Sequence, residues 1–417
     1  MVDNSFGNLA TQLNSEIARL QGQNLEIKYN YPIFYSGESI STISNILQKV
    51  SPCGKVAVIY KPQTFAIFGK DLTNAIKGAG CRPCNFIMPE SNSGSGYLVL
   101  EQLSELFFFP EDIRAVVSID ACIVYEVCYY ASILNIPAIY TLNNQVCENL
   151  LPCHAYIKNG SIVDLVSITC ERHIVIDQKA IFNCQDNSAQ LFAYQMSKIP
   201  AFVDFRINNI VKDNSSFIFA YNYARAVVLD TFNVFKYEKS NQLDALLLNG
   251  LKLEVANYFS KGTLFDFSAV KSAQRILKKS SGILALNLAK KIIGLYNLYF
   301  SGQYQHNDLF VDYFSRAQEL SVLTGEKDTV FATSLLNQIK LIKKHNSDFA
   351  KIKDGLSKEV QGLEASFNKI SNLFIALNGK QENLDIEVNK SIKYCGDLNG
   401  VFNAMTLVRD SGISELI

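Results

Sequence analysis

What this chain does not have sets its first limits. Its 417 residues carry no net formal charge, with 39 Lys and Arg offsetting 39 Asp and Glu. A balanced chain has no basic surplus to draw it to nucleic acid or to an anionic membrane surface. No uninterrupted apolar run reaches the ~18 residues that a membrane-crossing helix needs, so no membrane span is expected. The first twenty residues, Met1 to Leu20, lack a basic segment followed by an apolar one, so no secretory signal is read there. With ten cysteines and no export signal, the expected setting is a reducing, cytoplasmic one with free, mostly buried thiols. Proline is absent after Pro200, which suits a helical second half, because proline breaks helix interiors.

What is present is organised around Ile113 to Asn144. Ile113 to Ile119 is an apolar run broken only by Arg114 and Ser118, the pattern of a strand buried on both faces of a parallel sheet. Helical spacing follows from about Cys122 to Leu134, and Ile136 to Thr141 reads as a second buried strand. Strand, turn, helix, strand is a βαβ unit, whose turn commonly holds a ligand phosphate on the free N–H groups of the helix start. The turn Ile119-Asp120-Ala121-Cys122 has no glycine, although close approach of backbone to a pyrophosphate favours residues without a Cβ. Asp120 also puts a negative charge where a phosphate would come.

Strand and helix alternate on either side. Leu9, Leu13, Ile17 and Leu20 fall at helical spacing, with a strand expected before residue 30. Tyr31 to Tyr35 reads as a strand, Ser39 to Val50 as a helix, Lys55 to Tyr60 as a strand, Thr64 to Gly78 as a helix and Arg82 to Met88 as a strand. Ser91 to Gly96 is a loop, and Gly96 to Phe109 reads as a helix closed by Pro110. Strand-like runs continue from Tyr156 to Ile176 around a turn at Asn159-Gly160. This order predicts a doubly wound, Rossmann-like parallel sheet over residues 1–178. From Ala189 onward the periodicity is helical, with helices expected near 189–211, 214–237, 240–260, 267–279, 281–300, 306–323, 327–345, 349–377 and 387–413. Residues 179–417 are therefore read as a helical domain, with a ligand cleft expected between the two.

Several pieces resemble the superfamily of iron-containing alcohol dehydrogenases, glycerol dehydrogenase, sn-glycerol-1-phosphate dehydrogenase and dehydroquinate synthase. They are Tyr35-Ser36-Gly37-Glu38, the GKVAVIY of 54–60, the FGKDLTNAIKGAG of 68–80 and the NIPAIYT of 135–141. In the second half, SGQYQH at 301–306 resembles the family's SGxEH segment, Thr324-Gly325-Glu326 its HGE, and LVRDSGISELI at 407–417 its last helix. The resemblance spans the chain and lies nearest the glycerol-1-phosphate dehydrogenase branch.

It implies NAD(P) held at the sheet and a Zn or Fe ion held by an acid and two histidines. Residue by residue, little of this carries over. The family's glycine-rich turn falls on Ile119, Asp120, Ala121 and Cys122, and its Asp and Lys on the following helix fall on Tyr125 and Cys128. Thr141 is kept from the last strand. The metal acid falls on Tyr194, the first histidine on His306 and the second on Thr324, so one ligand of three is retained where such sites need three or four. Lys61, Asp120, Ala121, Cys122, Thr141 and Asn144 are the residues expected to line a nucleotide site, with Ser118 and Glu126 nearby.

Each of these residues also has a structural reading. Lys61 can be a solvated lysine at a strand end, and His306 a locally hydrogen-bonded histidine at a helix start. Thr324 can be an N-cap before Gly-Glu. Tyr125, Tyr129 and Tyr130 can be packing aromatics, and Cys81 and Cys84 two ordinary thiols beside a strand.

The functional expectation is a divergent member of the group with degenerate cofactor and metal sites, a pseudoenzyme that binds a small-molecule ligand or a protein partner. A homo-oligomer is implied by the resemblance only. The alternatives are an active NAD(P)- and metal-dependent oxidoreductase on a polyol or polyol phosphate such as glycerol 1-phosphate, and a dehydroquinate synthase-type lyase.

Overall fold

The computed structural model describes residues 8–22, 31–88, 97–99, 112–120, 123–142, 150–159, 162–182, 187–234, 239–277, 281–302, 311–378, 386–398, 401–411 and 413–416. The chain divides into two compact units, the first of 1–159, 163–187 and 234–259, the second of 160–162, 188–233 and 260–417.

The first unit is built on a six-stranded parallel sheet. In chain order its opening elements are α1 (Asn8–Gln21), β1 (Ile33–Ser36), α2 (Ser39–Val50), β2 (Lys55–Tyr60), α3 (Pro62–Gly78) and β3 (Arg82–Ile87). There follow β4 (Tyr97–Val99), β5 (Ile113–Ser118), α4 (Val124–Leu134), β6 (Ala138–Leu142), β7 (His154–Asn159), β8 (Ile162–Ser167), β9 (Arg172–Ile176) and α5 (Gln178–Phe182). The strand order is β1-β9-β6-β5-β2-β3, with β4, β7 and β8 in a separate three-stranded sheet. Val116 pairs with Ala138 and Val58 with Val117, so the central strands run in parallel, with one register shift between Lys55 and Val56 where β2 meets β5.

Parallel strands covered on both faces must be apolar throughout, and Val56 to Tyr60, Ala115 to Val117 and Ile139 to Tyr140 are all fully buried. Local signals set the helix ends. The Glu38 carboxylate accepts the N–H groups of Ile40 and Ser41 at the start of α2. Pro62 opens α3, where a missing N–H costs nothing. Asn135 ends α4 in the left-handed region at φ 52°. Leu9, Leu13, Ile17 and Leu20 of α1 are buried together, as their spacing predicts. The expected strand before residue 30 and most of the expected 96–109 helix lie outside the described residues. Within that segment Tyr97–Val99 is a strand rather than helix, because it pairs in parallel with Tyr156 to Lys158 of β7. A tertiary partner decides a short apolar run that periodicity leaves ambiguous.

One later helix, α9 (Lys239–Phe259), belongs to this first unit. Its Glu254 carboxylate accepts the Leu151 N–H at 3.2 Å, and Phe259 stacks on Tyr31 with ring centres 5.6 Å apart.

The second unit is helical: α6 (Asn187–Met196), α7 (Ile199–Lys212), α8 (Ile218–Asn233), α10 (Ala269–Leu277), α11 (Gly282–Ser301), α12 (Tyr313–Thr324), α13 (Asp328–Lys344), α14 (Asn346–Asn378), α15 (Ile386–Tyr394) and α16 (Ala404–Asp410). The single helix expected over 189–211 is two, because Pro200 sits in the first turn of α7, where its missing N–H is tolerated. The single helix expected over 387–413 also breaks. Asn403 intervenes, its N–H donating to the Thr406 hydroxyl at the start of α16.

Leu320, Phe331, Leu335 and Tyr394 pack together between α12, α13 and α15. A buried ionic network lies beside them. Arg316 donates to Asp397 at 2.5 Å, and Arg409 donates to the same carboxylate at 2.9 Å and to Gln338 at 2.5 Å. No described helix is long and apolar enough to cross a membrane.

Candidate functional site

In a doubly wound sheet, ligands gather outside the carboxyl ends of the strands. Three of the residues expected to line a nucleotide site reach that edge. Lys61 follows β2 and precedes α3, Asp120 follows β5, and Thr141 lies in β6, which neighbours β5. Ala121, Cys122 and Asn144 lie outside the described residues.

The end of β5 is held by hydrogen bonds from its own and neighbouring side chains. The Thr64 hydroxyl, in the first turn of α3, donates to the Asp120 carboxylate at 2.8 Å. The Asp120 N–H donates to the Ser118 hydroxyl oxygen at 3.0 Å. Thr141 donates to the Ile119 carbonyl at 3.1 Å and is fully buried, so its hydroxyl ties β6 to the end of β5. Asp120 is 6% exposed. A second carboxylate, Glu126, is buried in the first turn of α4, where a negative side chain gains from the helix dipole. The carboxyl end of β5 is therefore acidic as well as glycine-free. Thr64 was not singled out by sequence, since nothing in its neighbourhood announces a partner 56 residues away.

The helix after the turn carries Tyr125, buried, Tyr129, half-buried, and Tyr130, buried. Burial pushes the Tyr130 hydroxyl up to about 12, which keeps it neutral.

In the second unit the expected metal positions have other occupations. Tyr194 is 1% exposed in α6, and the Lys198 ammonium lies 4.1 Å from its ring centre. Thr324 is not an N-cap. It is the last residue of α12, its hydroxyl donates to the Leu320 carbonyl at 2.9 Å, and Gly325 follows in the left-handed region that ends the helix. The local cause is the glycine, which suits a helix end better than a start. The Glu326 N–H donates back to the Thr324 hydroxyl oxygen. His306 lies outside the described residues, and no group of three or more His, Cys, Asp and Glu among the described residues is arranged to hold a metal ion.

The acid ten residues after Tyr194, Asp204, is a structural centre. Its carboxylate accepts the Tyr296 hydroxyl at 2.5 Å and the N–H groups of Ala269 and Ala404, each at 2.9 Å. Those two residues begin α10 and α16, so one buried carboxylate caps two helices. Burial raises its pKa from 3.8 to about 6, and the three donors act the other way.

No family model matches the chain, and neither does any curated protein. Solved structures do. NADH-dependent butanol dehydrogenase A from Thermotoga maritima is 12% identical, with 94% of this chain and 98% of that one covered and a TM-score of 0.51. A 1,3-propanediol oxidoreductase is 14% identical, with 92% of this chain and 99% of that one covered and a TM-score of 0.50. At such identities the likeness speaks for fold, and there it meets the resemblance read from the sequence. The chain has the fold of these two oxidoreductases, a parallel α/β sheet unit joined in sequence to a helical one.

Proposed function

We propose that this chain keeps an oxidoreductase fold whose nicotinamide and metal positions have been rebuilt. In this reading it works by binding a small ligand or a protein partner rather than by transferring hydride. The observation that carries the reading is the buried Asp120 carboxylate, fixed by Thr64 at the end of β5. A pyrophosphate brought to that turn would meet a negative charge already in place. Two like charges 4 Å apart repel by about 1 kcal/mol in water and about 4 kcal/mol near a protein surface.

The metal positions support the same conclusion. A cation at Tyr194 would face the Lys198 ammonium, and the Thr324 hydroxyl is spent within its own helix. A buried phenol and a committed hydroxyl do not make a donor set for Zn or Fe.

The test is metal analysis of the purified chain together with titration by NADH and NADPH, followed by fluorescence or calorimetry. The expected result is no stoichiometric Zn or Fe and no nicotinamide binding in the micromolar range. Stoichiometric metal with micromolar nicotinamide affinity overturns the reading. It would favour a second one, an active NAD(P)- and metal-dependent dehydrogenase. The names of the two similar structures and the retained His306 argue for that reading, and small alcohols, diols and glycerol 1-phosphate would then be screened. A dehydroquinate synthase-type lyase needs the same metal and cofactor and stands or falls with it.

A further inference from the structure

Three elements of the first unit leave a gap where they meet. α1, β1 and α2 enclose a cavity of about 410 Å³, at the edge of the sheet and three strands away from β5. That volume falls in the range of small-ligand pockets, ~300–1,000 Å³. Its floor is apolar, since Phe34 and Ile46 line it and are each 2% exposed. Its mouth is polar, with Asn45 and Lys49 of α2 exposed there. The walls are firmly set. Asn14 of α1 uses both ends of its amide on the Phe34 backbone, at 2.9 and 3.0 Å, which ties α1 to β1. Ser39, at the start of α2, donates its N–H and its hydroxyl to Asp177 at 2.9 and 2.8 Å, which ties α2 to the end of β9. Gly37, between β1 and α2, lets the helix come close. A Cβ there would fall 2.5 Å from the Thr42 hydroxyl oxygen.

Polar side chains from both helices face the gap. Thr42, Asn45 and Lys49 stand at i, i+3 and i+7 on α2, which is one face of a helix, and Thr11 and Asn14 of α1 line the other side. Much of this hydrogen-bonding capacity is open. The Thr42, Asn45 and Lys49 side chains make no hydrogen bond or ion pair among the described residues, and the Ser36 hydroxyl oxygen is buried with no partner. A gap between packed helices normally closes over apolar side chains. One that keeps hydroxyls, an amide and an ammonium around an apolar floor has the make-up of a ligand site.

Charge and length select the ligand. Of the described residues that line the cavity, Lys49 alone is charged at neutral pH. The carboxylates nearby in sequence are engaged elsewhere. Glu16 holds Arg19 at 2.8 Å, Glu38 caps α2, and Asp177 holds Ser39. The Tyr35 hydroxyl is engaged too, with His173 Nδ1 at 3.0 Å. One positive charge matches a monoanion. A phosphate monoester, at about −1.5 to −2 near pH 7, would stay undercompensated. The seven helical steps from Thr42 to Lys49 cover about 10 Å. An extended chain of about six carbons, at ~1.2 Å per bond, reaches about 8 Å from its last hydroxyl to its carboxylate.

We propose that this cavity is a binding site for a small polyhydroxylated monocarboxylate, an open-chain sugar acid. Its carboxylate sits at the Lys49 ammonium, its hydroxyls meet Asn45, Thr42 and Ser36, and its carbon chain lies against Phe34 and Ile46. The site is separate from the β5 turn, so its occupancy does not depend on whether a nicotinamide binds there.

The test uses gluconate as the probe, sorbitol as its neutral counterpart and inorganic phosphate as a competing anion. Calorimetry on the full chain should show gluconate binding about fivefold tighter than sorbitol, the effect of one exposed charge pair, and no phosphate binding at the same concentrations. Lys49→Gln should bring gluconate down to the sorbitol level and leave sorbitol unchanged. Asn45→Phe, at an exposed position whose larger side chain fills the mouth, should abolish both. In the wild-type chain, saturating gluconate should protect Lys49 from acetylation by acetic anhydride, mapped by mass spectrometry, while Lys77 in the last turn of α3 keeps its labelling. The proposal is overturned if gluconate binds more weakly than about 10 mM or no tighter than sorbitol. It is overturned too if phosphate binds as tightly, or if Lys49 labels equally with and without gluconate. The wild-type labelling map decides the matter even where a variant does not fold.

Discussion

Tyr296 donates its hydroxyl to Asp204 at 2.5 Å, at a carboxylate that also receives the first N–H groups of α10 and α16. These donors lie 92, 65 and 200 residues away along the chain, so one side chain closes three long loops. Tyr296→Phe removes one donor and leaves a shape of nearly equal size. It should cost about 2 kcal/mol, the usual worth of a hydrogen bond to a charged group. Asp204→Asn should cost more, since its amide turns an acceptor into a donor facing an N–H. Urea unfolding followed by circular dichroism measures both, and equal stability of Tyr296→Phe and wild type would refute the assignment.

The same carboxylate gives a pH dependence with a defined sign. Its folded pKa, about 6, lies above the ordinary 3.8, with burial as the leading cause. A raised carboxyl pKa means that folding favours the protonated form. The stabilising contribution is complete below about pH 4 and fades as pH rises through 6. Two units correspond to about 3 kcal/mol. From pH 7.5 down to 5, the urea midpoint of wild type should rise relative to that of Asp204→Asn. A constant difference across that range would count against it.

Asp397 holds two buried guanidinium groups, Arg316 and Arg409, which are 3% and 0% exposed. Asp397→Asn removes the carboxylate that Arg316 and Arg409 share and strands the fully buried Arg409 charge. The expected loss is about 3–5 kcal/mol, the usual cost of stranding a buried charge. Folding should recover partly in Asp397→Asn/Arg409→Met, which removes the stranded cation of the fully buried arginine. A double variant no more stable than the single one would show that shape rather than charge is at stake.

Gly282 opens α11 against the backbone of α6. A Cβ built there falls 2.2 Å from the Gln190 carbonyl oxygen, while the Gly282 N–H donates to the Gln190 side chain at 2.9 Å. Backbone cannot give way as a flexible side chain can, so Gly282→Ala should cost about 3 kcal/mol. Gly355→Ala, in α14 with nothing near its Cβ position, is the control and should be neutral or slightly stabilising by helix propensity. Thermal melts of the two side by side decide the point.

Much of the sheet was legible because buried parallel strands are written as unbroken apolar runs. Lys55–Tyr60 and Ser39–Val50 have the bounds that the sequence reading assigns them. Legibility failed where a distant partner decides. Tyr97–Val99 is a strand only because β7 lies alongside, and α9 joins the first unit some sixty residues after β9. The acidic character of the β5 turn could be read from Asp120 alone. The Thr64 hydrogen bond that fixes it could not, since no local pattern marks the pair. Thr324 misled because Thr-Gly-Glu fits a helix start as a string, while the left-handed glycine makes it a helix end.

One small contact in the first unit covers part of an open sheet edge. β1 is an edge strand, and Asn14 of α1 uses both ends of its amide on Phe34, donating to the carbonyl at 2.9 Å and accepting the N–H at 3.0 Å. A side chain thus imitates one residue of a neighbouring strand and occupies the hydrogen-bonding groups that an incoming strand would seek. A strand pairing along β1 would first have to displace Asn14 from Phe34, so α1 guards this rim of the sheet with a side chain in place of a neighbouring strand.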